Sequence, residues 1–208
     1  DFKKKKNFVS FFLSDGDNIQ WMMQDFASRY YDVPEAEDVK MTFGLPVATL
    51  AMMAPVQFNN LMGLQKQNCS LMEMLGGGYY YVDTYSQDNN RKTNLRVAAK
   101  RLAVSMRQYQ IKLLGIMAMD VKSEAAKEAY QVYVDANDQL EGIVVLQYSP
   151  YAGGEGEVFW VTNKAGYDIP VITVKYSLWD RIHEREGSPD FIASKLKEEA
   201  QEESFSVV

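Results

Sequence analysis

Short apolar runs alternate with segments of helical periodicity along most of this chain, and that alternation restricts its fold more than any other feature of the sequence. The strongest strand patterns cover residues 8–13, 41–45 and 143–148, and helical spacing of apolar residues separates them. Strands separated by helices are typical of an α/β fold, in which parallel strands lie side by side. We therefore predict an α/β domain with a mostly parallel sheet.

Apolar periodicity also sets the remaining predicted elements. Further strands are predicted at residues 79–84, 113–117, 158–161 and 171–174. Helices are predicted at residues 19–31, in one or two segments from 55 to 75, at 95–109, and after the candidate N-cap residues Ser123 and Ser188. Residues 204–208 alternate polar and apolar side chains and predict a last strand. We expect residues 1–208 to be a single domain, cut from a longer protein and incomplete at its C-terminal end.

The composition excludes several classes of protein. One cysteine and one histidine among 208 residues exclude a disulfide framework and a metal site made mainly of this chain's imidazoles. The net charge of −6 argues against a nucleic-acid binder, which needs a basic face. The chain has no run of about 18 apolar residues that could span a membrane, and no dinucleotide- or phosphate-binding motif. No metal and no cofactor are therefore expected.

Two acidic residues follow the first predicted strand, at the end where parallel sheets bind their ligands. Asp15 and Asp17 flank Gly16, and a tight turn there would aim both carboxylates at the mouth of the sheet. Paired carboxylates at such a position serve in general acid–base chemistry or bind hard cations. The structural alternative is that Asp17 caps the next helix and Asp15 forms an Asx turn.

Aromatic residues and glycines form two further candidate clusters. The first, residues 76–83, joins three glycines to three tyrosines and Asp83, and tyrosine rings suit the faces of sugar rings. Its structural alternative is a helix end followed by a packed strand. In the second cluster Tyr148 ends a strand, and Glu155 lies in a flexible glycine-rich loop, where the structural alternative is a mobile surface carboxylate. The lone histidine, His183, lies in a charged, surface-like stretch where no catalytic role is expected.

Three segments resemble the GxGYxYP family of glycoside hydrolases. Residues 76–81 match the first six positions of the motif that names the family, and Val82 stands where the motif has proline. Residues 9–21 resemble the SDGDN-x-QW opening of the family's C-terminal domain. Residues 159–161, 169–172 and 178–179 resemble a third family stretch. The resemblance spans residues 8 to 180.

The resemblance implies a β/α-barrel-like domain that acts on carbohydrate. It also implies an N-terminal domain before Asp1, often with carbohydrate-binding modules in the same parent chain. Because polymeric glycans are met outside the cytoplasm, the implied location is extracellular or periplasmic.

The leading hypothesis is a glycoside hydrolase in which one carboxylate protonates the leaving oxygen while another acts as nucleophile or as base for water. The candidate catalytic residues are Asp15, Asp17 and Glu155, and either a retaining or an inverting geometry is compatible with them. The candidate sugar-binding residues are Trp21, Gly78, Tyr79, Tyr81, Asp83 and Tyr148. We expect Asp15 and residues 76–81 to line one cleft. That expectation conflicts with a strand at 79–84, which would place the glycines at the opposite edge from Asp15.

Two other functions stay open. A non-catalytic glycan-binding module would need the tyrosines and the tryptophan but not the acids. A metal-dependent polysaccharide deacetylase would also use aspartates after a strand, but such sites usually need histidines, and this chain offers only His183.

Overall fold

The computed structural model describes residues 8–14, 19–34, 39, 41–64, 69–74, 78–86, 89–179, 183–200 and 205–207. The strands are β1 (Phe8–Ser14), β2 (Met41–Leu45), β3 (Cys69–Met74), β4 (Leu113–Ala118), β5 (Gly142–Gln147), β6 (Val158–Thr162), β7 (Asp168–Thr173) and β8 (Phe205–Val207). The helices are α1 (Ile19–Met23), α2 (Val47–Met53), α3 (Pro55–Gly63), α4 (Arg91–Gln108), α5 (Glu124–Ala136) and α6 (Pro189–Glu199), with a π-helical segment at Ala27–Tyr31.

The strands form one sheet in the order β6-β7-β5-β4-β3-β2-β1-β8. Seven strands run parallel, and β6 pairs with β7 in the antiparallel direction. The sheet is curled into a half-barrel with helices between its strands. The predicted α/β class, the mostly parallel sheet and the barrel-like curvature are confirmed.

The two faces of the sheet carry different cores. Side chains that alternate along the strands point toward the helices and are fully buried there, among them Phe43, Leu114, Ile143 and Val171. The opposite face carries a second core of Met72, Met74 and Met117, against which Tyr81 and Tyr148 pack. This methionine core therefore lies directly beside two of the predicted sugar-binding residues.

The largest correction concerns residues 55–84. The predicted helix ends at Gly63, and Cys69–Met74 is the strand β3. Both faces of β3 are covered, so its sequence lacks the strict alternation that separates a strand from a buried helix. Residues 79–84 form turns rather than a strand, with a single bridge between Tyr81 and Met117. The glycines consequently follow a strand instead of preceding one.

Two predicted helix starts and the predicted last strand are confirmed. Ser123 and Ser188 accept hydrogen bonds from Ala126 and Phe191 N–H groups at the starts of α5 and α6. The predicted last strand is present as β8, paired with β1. The predicted helix at 19–31 is shorter, because α1 stops at Met23 and the π-helical segment follows. No helix in the described part of the chain is long and apolar enough to cross a membrane.

Glu73 is a buried carboxyl group in β3, with 1% of its surface exposed. Its Oε2 accepts a hydrogen bond from the Ala48 N–H at 2.8 Å, at the start of α2. Desolvation raises the pKa of Glu73 from 4.5 to about 8, and the hydrogen bonds from Ala48 and Val47 only partly oppose it. The group is therefore protonated in the folded protein at neutral pH.

The raised pKa of Glu73 predicts that stability falls with increasing pH. Between pH 4.5 and about 8 the unfolded chain releases this proton and the folded chain keeps it, so the free energy of unfolding drops as pH rises, by up to about 1.4 kcal/mol per pH unit. Glu73→Gln is expected to flatten that dependence, because the amide stays neutral and still accepts from Ala48. Urea unfolding from pH 5 to 8.5 checks this, with Glu124→Gln as the exposed control. Parallel curves for Glu73→Gln and wild type would contradict it.

Candidate functional site

The loops that follow β3, β5 and β7 all lie at the carboxyl edge of the sheet. The bridge between Tyr81 and Met117 places the tyrosine segment beside the last residues of β4. Tyr148 comes directly after β5, the neighbour of β4 in the sheet. Residues 78–83 thus follow β3 rather than begin a strand, at the same edge of the sheet as the carboxyl end of β1.

Four tyrosines, which we call the tyrosine cluster, meet at this edge: Tyr79, Tyr81, Tyr148 and Tyr151. The ring centroids of Tyr81 and Tyr148 lie 5.4 Å apart. Tyr79 contacts Tyr81 edge-on at 5.8 Å, and Tyr151 contacts Tyr148 edge-on at 5.6 Å. Desolvation and the neighbouring Tyr81 raise the pKa of Tyr79, so its hydroxyl stays a hydrogen-bond donor in the neutral range. The cluster combines apolar ring faces with hydroxyl groups and leaves Tyr79 47% exposed.

The loop between β5 and β6 is closely packed, contrary to the flexible loop expected. Successive turns are closed by hydrogen bonds from the N–H groups of Gly153, Glu155 and Glu157 to the carbonyls three residues earlier. The Thr173 hydroxyl donates to the Gly154 carbonyl at 2.8 Å. Glu155 itself has a φ of 59°, a left-handed conformation held by these surrounding turns. The packing fixes the backbone from which the exposed Glu155 side chain extends at the edge.

Replacing Gly154 by alanine is expected to destabilise the protein by about 1–3 kcal/mol. An added Cβ would lie 2.4 Å from the Cβ of Thr173, a stiff β-branched residue in β7 that cannot move aside. Gly63→Ala is the matched control, because nothing lies within 4 Å of its added Cβ. Urea unfolding of both variants measures the difference, and equal midpoints would refute the predicted clash.

Other carboxylates at this edge are held by structural contacts. Asp83 accepts the N–H groups of Met119 and Asp120 at 3.0 and 2.9 Å, which fixes the loop after β4. Glu157 pairs with Lys122 at 3.0 Å, and that hydrogen bond raises the pKa of Lys122. Glu155 differs from them in its neighbour, since its carboxylate lies 4.0 Å from the His183 ring.

His183, for which the sequence predicted no catalytic role, lies near Glu155. Its Nε2 lies 4.0 Å from Oε1 of Glu155, and its Nδ1 accepts the Arg185 N–H at 3.3 Å. Because Nδ1 accepts this hydrogen bond, the proton of a neutral imidazole lies on Nε2, the nitrogen nearer the carboxylate. The available signal was its position, ten residues beyond the carboxyl end of β7.

The remaining predicted residues have different placements. Trp21 lies in α1, partly buried against the core, with ring contacts to Phe26 at 4.5 Å and Tyr30 at 5.2 Å. Gly78 is exposed, with a φ of 139°. Asp15 and Asp17 lie outside the described residues. No group of three candidate metal ligands occurs among the residues the structure describes.

Comparison with known proteins adds a family and a fold. The sequence profile of the GxGYxYP putative glycoside hydrolase C-terminal domain matches residues 5–207. The crystal structure of a putative hydrolase from Bacteroides thetaiotaomicron VPI-5482 matches with a TM-score of 0.71 at 19% identity, over 96% of this chain and 38% of that one. That likeness establishes the fold, and the chain spans well under half of the neighbour's length. No curated protein sequence matches the chain.

Proposed function

The chain belongs to the GxGYxYP putative glycoside hydrolase C-terminal domain family, and from that premise we propose that it hydrolyses glycosidic bonds at the carboxyl edge of its sheet. The observation that carries the proposal is the tyrosine cluster, two of whose members, Tyr148 and Tyr151, lie in the loop after β5 together with Glu155. Tyrosine rings offer apolar faces for a sugar, and their hydroxyl groups can bond its oxygens.

Two carboxylates perform the proposed reaction. Glu155 is one of them, with Asp15 or Asp17 from the segment after β1 as its partner. One group protonates the leaving oxygen, and the other acts as nucleophile or as base for water. The sugar-binding role belongs to Tyr79, Tyr81 and Tyr148, with Gly78 and Asp83 beside them.

The wider setting of this activity is also part of the proposal. The substrate is a carbohydrate met in the extracellular or periplasmic space. An N-terminal domain, and possible carbohydrate-binding modules of the same parent chain, would present the glycan to this edge. The neighbour's greater length is in keeping with further domains, because this chain covers 38% of it.

A non-catalytic glycan-binding module is the second candidate. It is favoured by the number of carboxylates committed to structural contacts, since Asp83 holds two backbone N–H groups and Glu157 holds Lys122. Such a module would use the tyrosine cluster alone. The deacetylase alternative has no support from a three-ligand group within the described residues.

The test measures both hydrolysis and binding. Purified protein is incubated with soluble xylan, galactomannan, mixed-linkage β-glucan and rhamnogalacturonan, and reducing ends are counted while gel retardation reports binding. Tyr79→Ala is expected to weaken both readouts. Tyr167→Ala, an exposed tyrosine in the turn at the opposite edge, is expected to weaken neither. Binding by wild type with no hydrolysis would favour the module, and equal behaviour of the two variants would remove the tyrosine cluster from the site.

A further inference from the structure

Glu186 is a buried carboxylate that joins two loops of the proposed site. Only 6% of its surface is exposed. Its Oε1 accepts the Ala152 N–H at 3.2 Å, and its Oε2 accepts the His183 N–H at 3.2 Å. Ala152 belongs to the loop after β5 and His183 to the segment after β7, so each oxygen holds a different loop.

Backbone contacts fix Glu186 at the base of the second loop. The Ser177 N–H donates to the Arg185 carbonyl at 3.1 Å, and the Gly187 N–H donates to the Ser177 carbonyl at 3.0 Å. A β-bridge between Ser177 and Glu186 lies between these two bonds. The backbone of Glu186 is therefore held by its pairing with Ser177, and its side chain extends from this fixed backbone.

Each anchored loop carries one member of the Glu155–His183 pair. The Glu155 N–H donates to the Ala152 carbonyl at 2.9 Å, so the residue that Glu186 holds also sets the turn that presents Glu155. His183 is held through its own N–H. The Glu155 carboxylate and the His183 ring, 4.0 Å apart, are therefore carried by the two segments whose backbone N–H groups Glu186 accepts.

We infer that Glu186 is a positioning residue of this site, which fixes Glu155 and His183 against each other. The inference rests on the proposed function for its catalytic consequence. The two oxygens of a glutamate accept both N–H groups, a glutamine offers one carbonyl oxygen, and an alanine offers none. Loss of the anchor leaves the buried Ala152 N–H and the partly buried His183 N–H without this acceptor and lets the two loops separate.

The test uses the full chain and its single histidine. One set of imidazole signals in an NMR spectrum reports on His183 alone, without need of a substrate. Glu186→Ala and Glu186→Gln are expected to shift those signals at constant pH, the alanine variant more. Glu184→Gln is the matched control, because it makes the same change of charge at an exposed glutamate two residues before Glu186. Thermal unfolding shows whether each variant is folded. If Glu186→Ala does not fold, the NMR comparison is made with Glu186→Gln alone.

Kinetics on whichever glycan the wild type hydrolyses separate positioning from general destabilisation. We expect kcat to fall about 100-fold in Glu186→Ala and about 10-fold in Glu186→Gln, with KM changed by less than about threefold, because a displaced group impairs the reaction more than binding. Unmoved histidine signals, or a kcat equal to that of Glu184→Gln, would overturn the inference while leaving the proposed function standing. If the Glu186 variants shift the histidine signals but the wild-type protein hydrolyses no glycan, the anchor is supported and the proposed hydrolase is overturned.

Discussion

Glu155→Gln is expected to lower glycan hydrolysis by roughly 10²–10⁴-fold, the effect of removing a general acid or base. Glutamine matches glutamate in size and leaves the backbone turns around position 155 unchanged, but it can neither give nor take the proton. Sugar binding should persist, because the tyrosine cluster is intact. The expected pattern is therefore a large loss of kcat with little change in KM.

Glu157→Gln is the matched control for that experiment. It lies two residues away in the same loop and pairs with Lys122, so its replacement removes a carboxylate without touching the proposed chemistry. Initial rates and thermal unfolding should be measured for both variants. If Glu155→Gln keeps most of its turnover while folded, Glu155 is not one of the two catalytic carboxylates.

Asp15→Asn is expected to remove nearly all turnover, by the same roughly 10²–10⁴-fold factor, whereas Asp17→Asn should stay at least partly active. Asp17 directly precedes Asn18 and the segment that becomes α1, where a carboxylate is favoured as a helix cap. Asparagine caps a helix about as well as aspartate, so little stability is lost there. Asp15 directly follows Ser14, the last residue of β1, and we therefore expect it rather than Asp17 to face the mouth of the sheet.

Turnover of the two asparagine variants on one hydrolysed glycan decides between these roles. Circular dichroism must show that both are folded. The reverse order, with Asp15→Asn active and Asp17→Asn inactive, would exchange their assignments. Equal and complete loss in both variants would instead favour the pair acting together.

The apolar pattern and the capping residues were sufficient to predict the elements whose start or end is clear in the sequence. Residues 41–45 and 143–148 were predicted as strands and form β2 and β5, and the serine caps of α5 and α6 follow from local chemistry. The strand β3 is covered on both faces, as β5 is, but it lacks the β-branched residues that mark β5 as a strand, so its pattern did not separate it from a helix. Periodicity alone does not distinguish a strand that is buried on both sides.

Part of the candidate site could also be predicted from the sequence, and part of it could not. The tyrosines and Glu155 were identified because their residue types and their place after apolar runs are visible in the sequence. The anchoring by Glu186 was not, since Ala152 and Glu186 are brought together by the pairing of β5 with β7 rather than by their spacing. The packed state of the glycine-rich loop likewise depends on Thr173, nineteen residues after Gly154.

The methionine core has a consequence for oxidative labelling. Met72, Met74 and Met117 are almost fully buried beside Tyr81 and Tyr148, while Met52 and Met53 in α2 are about 70% exposed. Conversion to sulfoxide needs access to the sulfur and turns an apolar side chain into a polar one. Under dilute peroxide the α2 methionines should react at once. The three buried methionines should react only when the packing of Tyr81 and Tyr148 against them opens and exposes their sulfur atoms. Peptide mass spectrometry would then measure that opening directly, and a glycan bound at the edge should slow it.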